Sequence, residues 1–101
     1  MAAFVDMPDL LVNLQSDARR MRFLKLRLAL EVESASAADA VRALMPRIMD
    51  GFQVYLRALT ADELNGAAGV QRLKEGLVAR ANLAVEPLKI DDVLLKEMLV
   101  Q

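Results

Sequence analysis

Leu24, Leu26, Leu28, Leu30 and Val32 occupy five successive even positions, with Lys25, Arg27, Ala29, Glu31 and Glu33 on the odd positions beside them. A period of two sends successive side chains to opposite faces of an extended chain, whereas a helix needs apolar residues three and four apart. The pattern therefore demands a β-strand with one face on an apolar core and the other in water. Such a strand needs neighbours to satisfy its amide and carbonyl groups. The preceding segment offers one. Residues Phe4 to Gln15 read as a first strand, in which Leu10, Val12 and Leu14 alternate with Leu11, Asn13 and Gln15, with one imperfection in the period. Pro8 has no amide donor, so it marks an edge position, a bulge or the strand's true start. Ser16, Asp17, Ala18 and Arg19 supply a short turn, and the two runs make an antiparallel hairpin.

The period then changes. Ser36-Ala37-Ala38-Asp39 reads as a helix start, with Ser36 as N-cap and an acidic residue at the third helical position. Val41, Leu44, Met45, Ile48, Phe52, Tyr55, Leu56 and Leu59 recur at spacings of three and four, an amphipathic helix of about 22 residues. Pro46 lies inside it and removes the bond to the carbonyl of Arg42. The helix either kinks there or breaks, with a short helix before Pro46 and a new one starting at it. Thr60-Ala61-Asp62-Glu63 is a capping box for a short helical turn ending near Asn65-Gly66. A further helix runs from about Ala67 to Val85, with Val70, Leu73, Leu77, Ala81 and Ala84 as its buried stripe and Pro87 beyond its end. Leu88 to Val100 is the last strand. Both of its faces carry apolar residues, which suits a central strand covered on both sides or a strand buried in an oligomer. The order β-β-α-α-β implies a small α+β fold with the helices on one face of an antiparallel sheet.

What the chain lacks narrows its chemistry. Its 101 residues fit one domain and contain no His, Cys or Trp. There is thus no thiolate nucleophile, no disulfide, no imidazole base and no zinc site of the usual kind. Absent cysteine does not decide the redox compartment. No uninterrupted apolar stretch approaches the length that spans a bilayer. The hydroxyl residues Ser16, Ser34, Ser36, Thr60 and Tyr55 have no imidazole to activate them, and several suit turns and caps. Gly51, Gly66, Gly69 and Gly76 are scattered and form no phosphate loop. Glu31 and Glu33 sit on one strand face about 7 Å apart. Nothing apolar beside them would raise either pKa, so they read as a solvated face. Met7, Met21, Met45, Met49 and Met98 fall mostly on core-facing stripes and read as core filler. No catalytic, cofactor-binding or metal-binding residue is expected.

Charge is uneven. The chain has 13 Lys+Arg against 14 Asp+Glu, a formal net charge of -1, which gives no reason to expect nucleic acid. Yet Arg19, Arg20, Arg22, Lys25 and Arg27 place five positive charges within nine residues. Such a cluster can meet an acidic partner or an anionic lipid surface, or be matched by Glu31, Glu33 and the first strand. Together with Lys96 on the last strand, these residues are the candidates for an interaction surface.

Read in order, several segments resemble the FliL family of flagellar basal body-associated proteins. Phe4-Val5-Asp6-Met7-Pro8-Asp9-Leu10-Leu11-Val12-Asn13-Leu14 is similar to that family's opening strand, and Arg22 to Val32 to its second. Met45-Pro46-Arg47-Ile48 followed by Tyr55-Leu56 resembles its first long helix, proline included. Thr60 to Gly66 is similar to its inter-helix turn. Val93 to Gln101 resembles its closing segment, although Leu94-Leu95 stands where aromatics are common and the inter-helix region is Ala-rich. The resemblance implies a single periplasmic domain over residues 1–101, with a short cytoplasmic segment, one inner-membrane helix and a linker absent from this chain. It implies likeness to the core domain of stomatin-like (SPFH) proteins, self-association into a ring, and contact with the stator proteins MotA and MotB in support of torque. It brings no catalytic residue and no cofactor. Two other expectations compete: a stomatin-like membrane scaffold with no flagellar role, and a small enzyme whose concave pocket would hold Glu31 or Asp92.

Overall fold

A computed structural model of the chain describes residues 1–16 and 21–101. Its elements are β1 (Ala3–Asp6), β2 (Leu10–Leu14), β3 (Arg22–Val32), α1 (Ala35–Arg42), α2 (Met45–Arg57), a short 3-10 turn (Asp62–Leu64), α3 (Gly66–Val85) and β4 (Asp92–Val100). All strand pairs are antiparallel, and β3 pairs with each of the other three. The fold is α+β, as the order of periods implies.

The alternation in β3 is the axis of the structure. Leu24, Leu26, Leu28, Leu30 and Val32 are all buried, and they meet Ile48, Phe52 and Leu56 of α2 and Leu73, Leu77 and Ala81 of α3 in one core. A strand has two hydrogen-bonding edges. β4 fills one edge of β3 from Leu24 to Glu31. β1 and β2 share the other, β1 against Ala29 to Val32 and β2 against Arg22 to Leu26. The expected first strand is therefore two strands with an irregularity at Met7-Pro8-Asp9. Asp6 faces Ala29 and Leu10 faces Leu26, so the outer strand carries one more residue than β3 across this step. This is a β-bulge at an edge proline, two of the three roles open to Pro8. It explains the imperfect period: the buried set shifts from Val5 and Met7 to Leu10, Val12 and Leu14.

The last strand departs from expectation in one respect. β4 begins at Asp92, not Leu88, and pairs with β3 alone, so it is an edge strand and not a central one. Only one face of β4 is covered. Val93 is buried, and Leu95, Met98 and Val100 pack on the core, while Leu94 and Leu99 stay 44% and 42% exposed. Between Leu95 and Met98 the parity switches, because Lys96 is an extra residue opposite Arg27 and Leu28. Residues 86 to 91 are held as a connection. The Asn82 side chain accepts from the Ile90 amide at 2.9 Å and donates to the Ile90 and Val78 carbonyls at 3.1 and 3.0 Å.

The helix containing Pro46 breaks; it does not kink. α1 ends at Arg42 and α2 starts at Met45, with Pro46 in its first turn, where a missing amide costs nothing. The break lets α1 pack on β1 while α2 packs on β2 and α3. Ser34, not Ser36, caps α1, its hydroxyl accepting from the Ala37 amide at 3.1 Å. The helix starts two residues earlier than that cap assignment implies. The capping box at Thr60 is present in both directions: the Thr60 amide donates to Glu63 at 2.9 Å and the Glu63 amide to the Thr60 hydroxyl at 3.3 Å. In α3 the buried stripe is Gly69, Leu73, Leu77, Ala81 and Val85, with Val70 and Ala84 only partly covered. Met7 is buried and Met45, Met49 and Met98 pack against the core, whereas Met21 is 70% exposed.

α2 and α3 meet through Tyr55, which lies against Gly76 where a β-carbon would overlap its ring. The Arg80 guanidinium stands 5.6 Å from the centre of that ring, within cation–π range. Gly76→Ala therefore gains about 1 kcal/mol of helix propensity but loses about 1–3 kcal/mol to overpacking. Chemical denaturation is expected to show net destabilisation in the native background and stabilisation in a Tyr55→Ala background, where the ring is gone.

Burial first, and Glu63 to a smaller degree, raise the Tyr55 hydroxyl above its ordinary value, against the opposing charge of Arg80. A folded-state pKa above the unfolded one contributes stability that is complete below the unfolded pKa and is lost as pH rises through the folded pKa. That window lies at and above the ordinary tyrosine value of about 10. Tyr55 is the only tyrosine and there is no Trp. Absorbance at 295 nm should follow this one group, titrating above free tyrosine in the folded chain and reverting to the ordinary value in denaturant.

Candidate functional site

Helices cover only one face of the sheet, so the odd-numbered side chains of β3 look outward. Reading across the strands, Phe4 faces Glu31, which faces Asp92; Asp6 faces Ala29, which faces Leu94; Leu11 faces Lys25, which faces Leu99. Phe4 is 51% and Leu11 66% exposed. This open face thus carries apolar side chains toward both ends, with a band of charge between them.

The band forms where the two bulges lie at the same level of β3. Both outer strands insert their extra residue beside Arg27 and Leu28, and the bulges bring charged side chains together over the middle strand. The Arg27 Nε is 3.3 Å from Asp9 Oδ1, and its Nη1 is 3.5 Å from Glu97 Oε2. The hydrogen bond to Asp9, then the charges of Asp9 and Glu97, hold the Arg27 guanidinium above its ordinary pKa. Lys96 Nζ reaches Asp6 Oδ1 at 2.6 Å, which joins β4 to β1 across β3. These groups are half exposed, so the pairs orient side chains more than they stabilise the fold.

The structure divides the basic cluster. Lys25, Arg27 and Lys96 belong to the open face. Arg22 shares the parity of Leu24 and lies at the sheet's end on the helix side, its Nε donating to the Gln101 carbonyl at 3.3 Å. Arg19 and Arg20 lie outside the described residues. Arg27 is matched by Asp9 of the edge strand and by Glu97, and not by Glu31 or Glu33. Arg57, at the end of α2, lines a shallow groove of about 390 Å³ together with Met21 and Arg22. Its place beside Arg22 had no signal in the sequence, because 35 positions separate them and only the packing of α2 on β2 joins them. The role of Glu97 and Lys96 did have one: the apolar parity change between Leu95 and Met98.

The other candidates resolve into structure. Gly66 to Gly69 form the first turn of α3, with Gly69 packed so closely on the Glu63 and Leu64 backbone that a β-carbon would stand 2.8 Å from it. Glu31 and Asp92 are cross-strand partners on the open face. Asp92 borders a shallow groove on α3, with Lys74 at 4.0 Å. Among the described residues no helix is long and apolar enough to cross a membrane.

Comparison with known proteins bears on this surface. The family model described as flagellar basal body-associated protein FliL matches residues 4–101. Flagellar FliL proteins of two Caulobacter vibrioides strains, NA1000/CB15N and ATCC 19089/CB 15, are each 39% identical over 97 residues. Those alignments cover 96% of this chain and 47% of each relative, so the chain spans about half the length of the curated relatives it matches. A match through the bulged edge strand, the broken helix and the closing strand leaves one conclusion: the chain belongs to the FliL family of flagellar basal body-associated proteins.

Proposed function

We propose that this chain is the periplasmic domain of a single-pass inner-membrane protein, and that it acts by contact and not by catalysis. It assembles with copies of itself in a ring beside the motor and supports the stator proteins MotA and MotB under load. The observation that carries the reading is the pairing of family membership with an open sheet face. Phe4, Leu11, Leu94 and Leu99 remain exposed on that face around a band of fixed charge. A sheet face that a soluble fold has no internal need for is a surface for a partner. The charged band sets register and orientation for whatever covers it, more than it adds affinity. Anchoring at the membrane, as this reading assigns it, raises local concentration, so a weak contact between domains suffices.

Leu94 and Val93 are adjacent but point to opposite faces, which separates contact from folding. Leu94→Glu is expected to leave stability within about 0.5 kcal/mol while reducing swarming, whereas Val93→Glu buries a charge and costs more than about 3 kcal/mol. Thermal melts and soft-agar motility of the two variants test this, and full motility in Leu94→Glu removes the open face from the proposal. Deleting the gene should impair motility under load while filaments persist. Cysteines introduced at Leu94 or Lys96 should crosslink in cells to the periplasmic part of the stator; normal motility in the deletion strain would sink the stator reading.

A further inference from the structure

An asparagine followed by a glycine can rearrange its own backbone, because no side chain keeps the next amide nitrogen from the asparagine carboxamide. The chain has three asparagines, Asn13, Asn65 and Asn82, and only Asn65 precedes a glycine. The fold separates the three further. Asn13 lies within β2, opposite Phe23, and the buried Leu14 follows it. Asn82 lies inside α3, where its carboxamide accepts from the Ile90 amide at 2.9 Å and donates to the Val78 and Ile90 carbonyls. Asn65 is exposed at the junction between the 3-10 turn and α3, and its carboxamide makes no capping hydrogen bond. Gly66 is the first residue of α3, so its amide is among those a helix leaves without an internal acceptor. Its φ is +70°, and a β-carbon built there would meet nothing within 4 Å, so the nitrogen is unhindered. Ring closure must turn the Asn65 ψ away from its extended value of 137°, and it proceeds as the first turn of α3 frays. The middle of α3 and the interior of β2 open far less often.

We infer that the Asn65–Gly66 junction is a self-modification site, at which Asn65 converts to aspartyl and isoaspartyl residues with water as co-reactant. In the first step the Gly66 nitrogen bonds to the Asn65 Cγ and the Cγ–Nδ2 bond breaks. Ammonia leaves with the proton of the Gly66 amide, and a cyclic imide remains. Water then opens the ring. Addition at Cγ breaks the new bond and gives an aspartyl residue. Addition at the main-chain carbonyl carbon breaks the original peptide bond and routes the backbone through Cγ, which is the isoaspartyl form. Either product adds one negative charge to a groove of about 440 Å³ that Arg22 and Asp62 also line. The isoaspartyl form also lengthens the main chain by a methylene between the 3-10 turn and α3. That junction has little slack, since Gly69 packs directly on the Glu63 and Leu64 backbone and the Arg72 Nη2 donates to the Glu63 carbonyl at 3.4 Å. Isoaspartyl formation therefore loosens the first turn of α3.

The test ages the full chain in mildly alkaline buffer, folded and in denaturant. Peptide mapping follows Asn65 through the gain of about 1 Da that an OH in place of an NH2 brings. Methyl transfer from S-adenosylmethionine by a purified isoaspartyl methyltransferase counts the isoaspartyl product. Asn65 in the fold is expected to convert within about tenfold of its rate in denaturant, with isoaspartyl residues formed. Asn65→Gln should abolish methyl acceptance, because the longer side chain closes its larger ring far more slowly. Leu83→Gly separates the dipeptide from its place in the fold. It removes an exposed side chain and puts a glycine after Asn82, inside α3. Asn82 in that variant should convert at least about tenfold more slowly than Asn65 in the same molecule. Protection of Asn65 beyond about tenfold overturns the inference, as does an Asn82 that keeps pace with it in the folded variant. Conversion to aspartyl residues alone overturns the ring-closing route. The native comparison with denaturant stands whether or not Leu83→Gly folds. Anion exchange isolates the isoaspartyl chain, whose first-turn amides in α3 should exchange faster with deuterium than those of the native chain; unchanged exchange overturns the loosening.

Discussion

One-sided burial of β3 is the constraint from which the rest follows. The even-numbered residues Leu24 to Val32 have no exposure to water, so everything the chain does next must cover that face. At roughly 1.5–3 kcal/mol for each fully buried aliphatic side chain, the five positions together outweigh any other local preference in the molecule. β3 also has both edges paired along its length, which makes it, among the described residues, the only strand shielded on two sides and along one face. The helices follow from this. α1 and α2 lie over the β1/β2 side and α3 over β4, and the break at Pro46 lets one amphipathic stretch cover two strands that a straight helix could not follow together.

The same constraint creates the open sheet face. Helices on one face leave the odd-numbered side chains of β3 on the open face, partly exposed except for the small Ala29, which its neighbours cover. In a strand a one-residue insertion flips the side that every later residue faces. The two bulges exploit this at one level of the sheet, so that Asp9, Arg27, Glu97 and Lys96 meet where an unbroken period would have spread them apart. The bulges also interrupt both sheet edges, which disfavours edge-to-edge strand pairing. Without His or Cys, the chain has no imidazole or thiolate chemistry to place on these surfaces.

Particular residues mark how far the sequence could be read. Pro8 announced an irregular edge, Pro46 a change of helix, and Thr60 to Glu63 a capped turn, because each rests on chemistry within four residues. Ser34 takes the cap that the local pattern gives to Ser36, and β4 is an edge strand and not the central strand that is one of its two expected settings. The start of α1 depends on how that helix packs on β1, and the position of β4 in the sheet on which edge of β3 is already occupied. Neither is local. β4 does carry apolar residues on both faces, but Leu94 and Leu99 of its second face are left exposed and not buried within the fold.

By itself the sequence determined the periods, and with them the helices, the strands, the face of β3 that must be buried and the kinds of chemistry excluded. Its ordered segments also carried the family. Only the tertiary structure decided which strands are edges, that Arg22 joins Arg57 while Lys25, Arg27 and Lys96 gather elsewhere, and that acidic and basic groups end at opposite limits of one strand. The physical reason is that burial periodicity is written residue by residue, whereas the pairing of charges across a sheet depends on register, and register is set by bulges and neighbours that lie far apart in the chain.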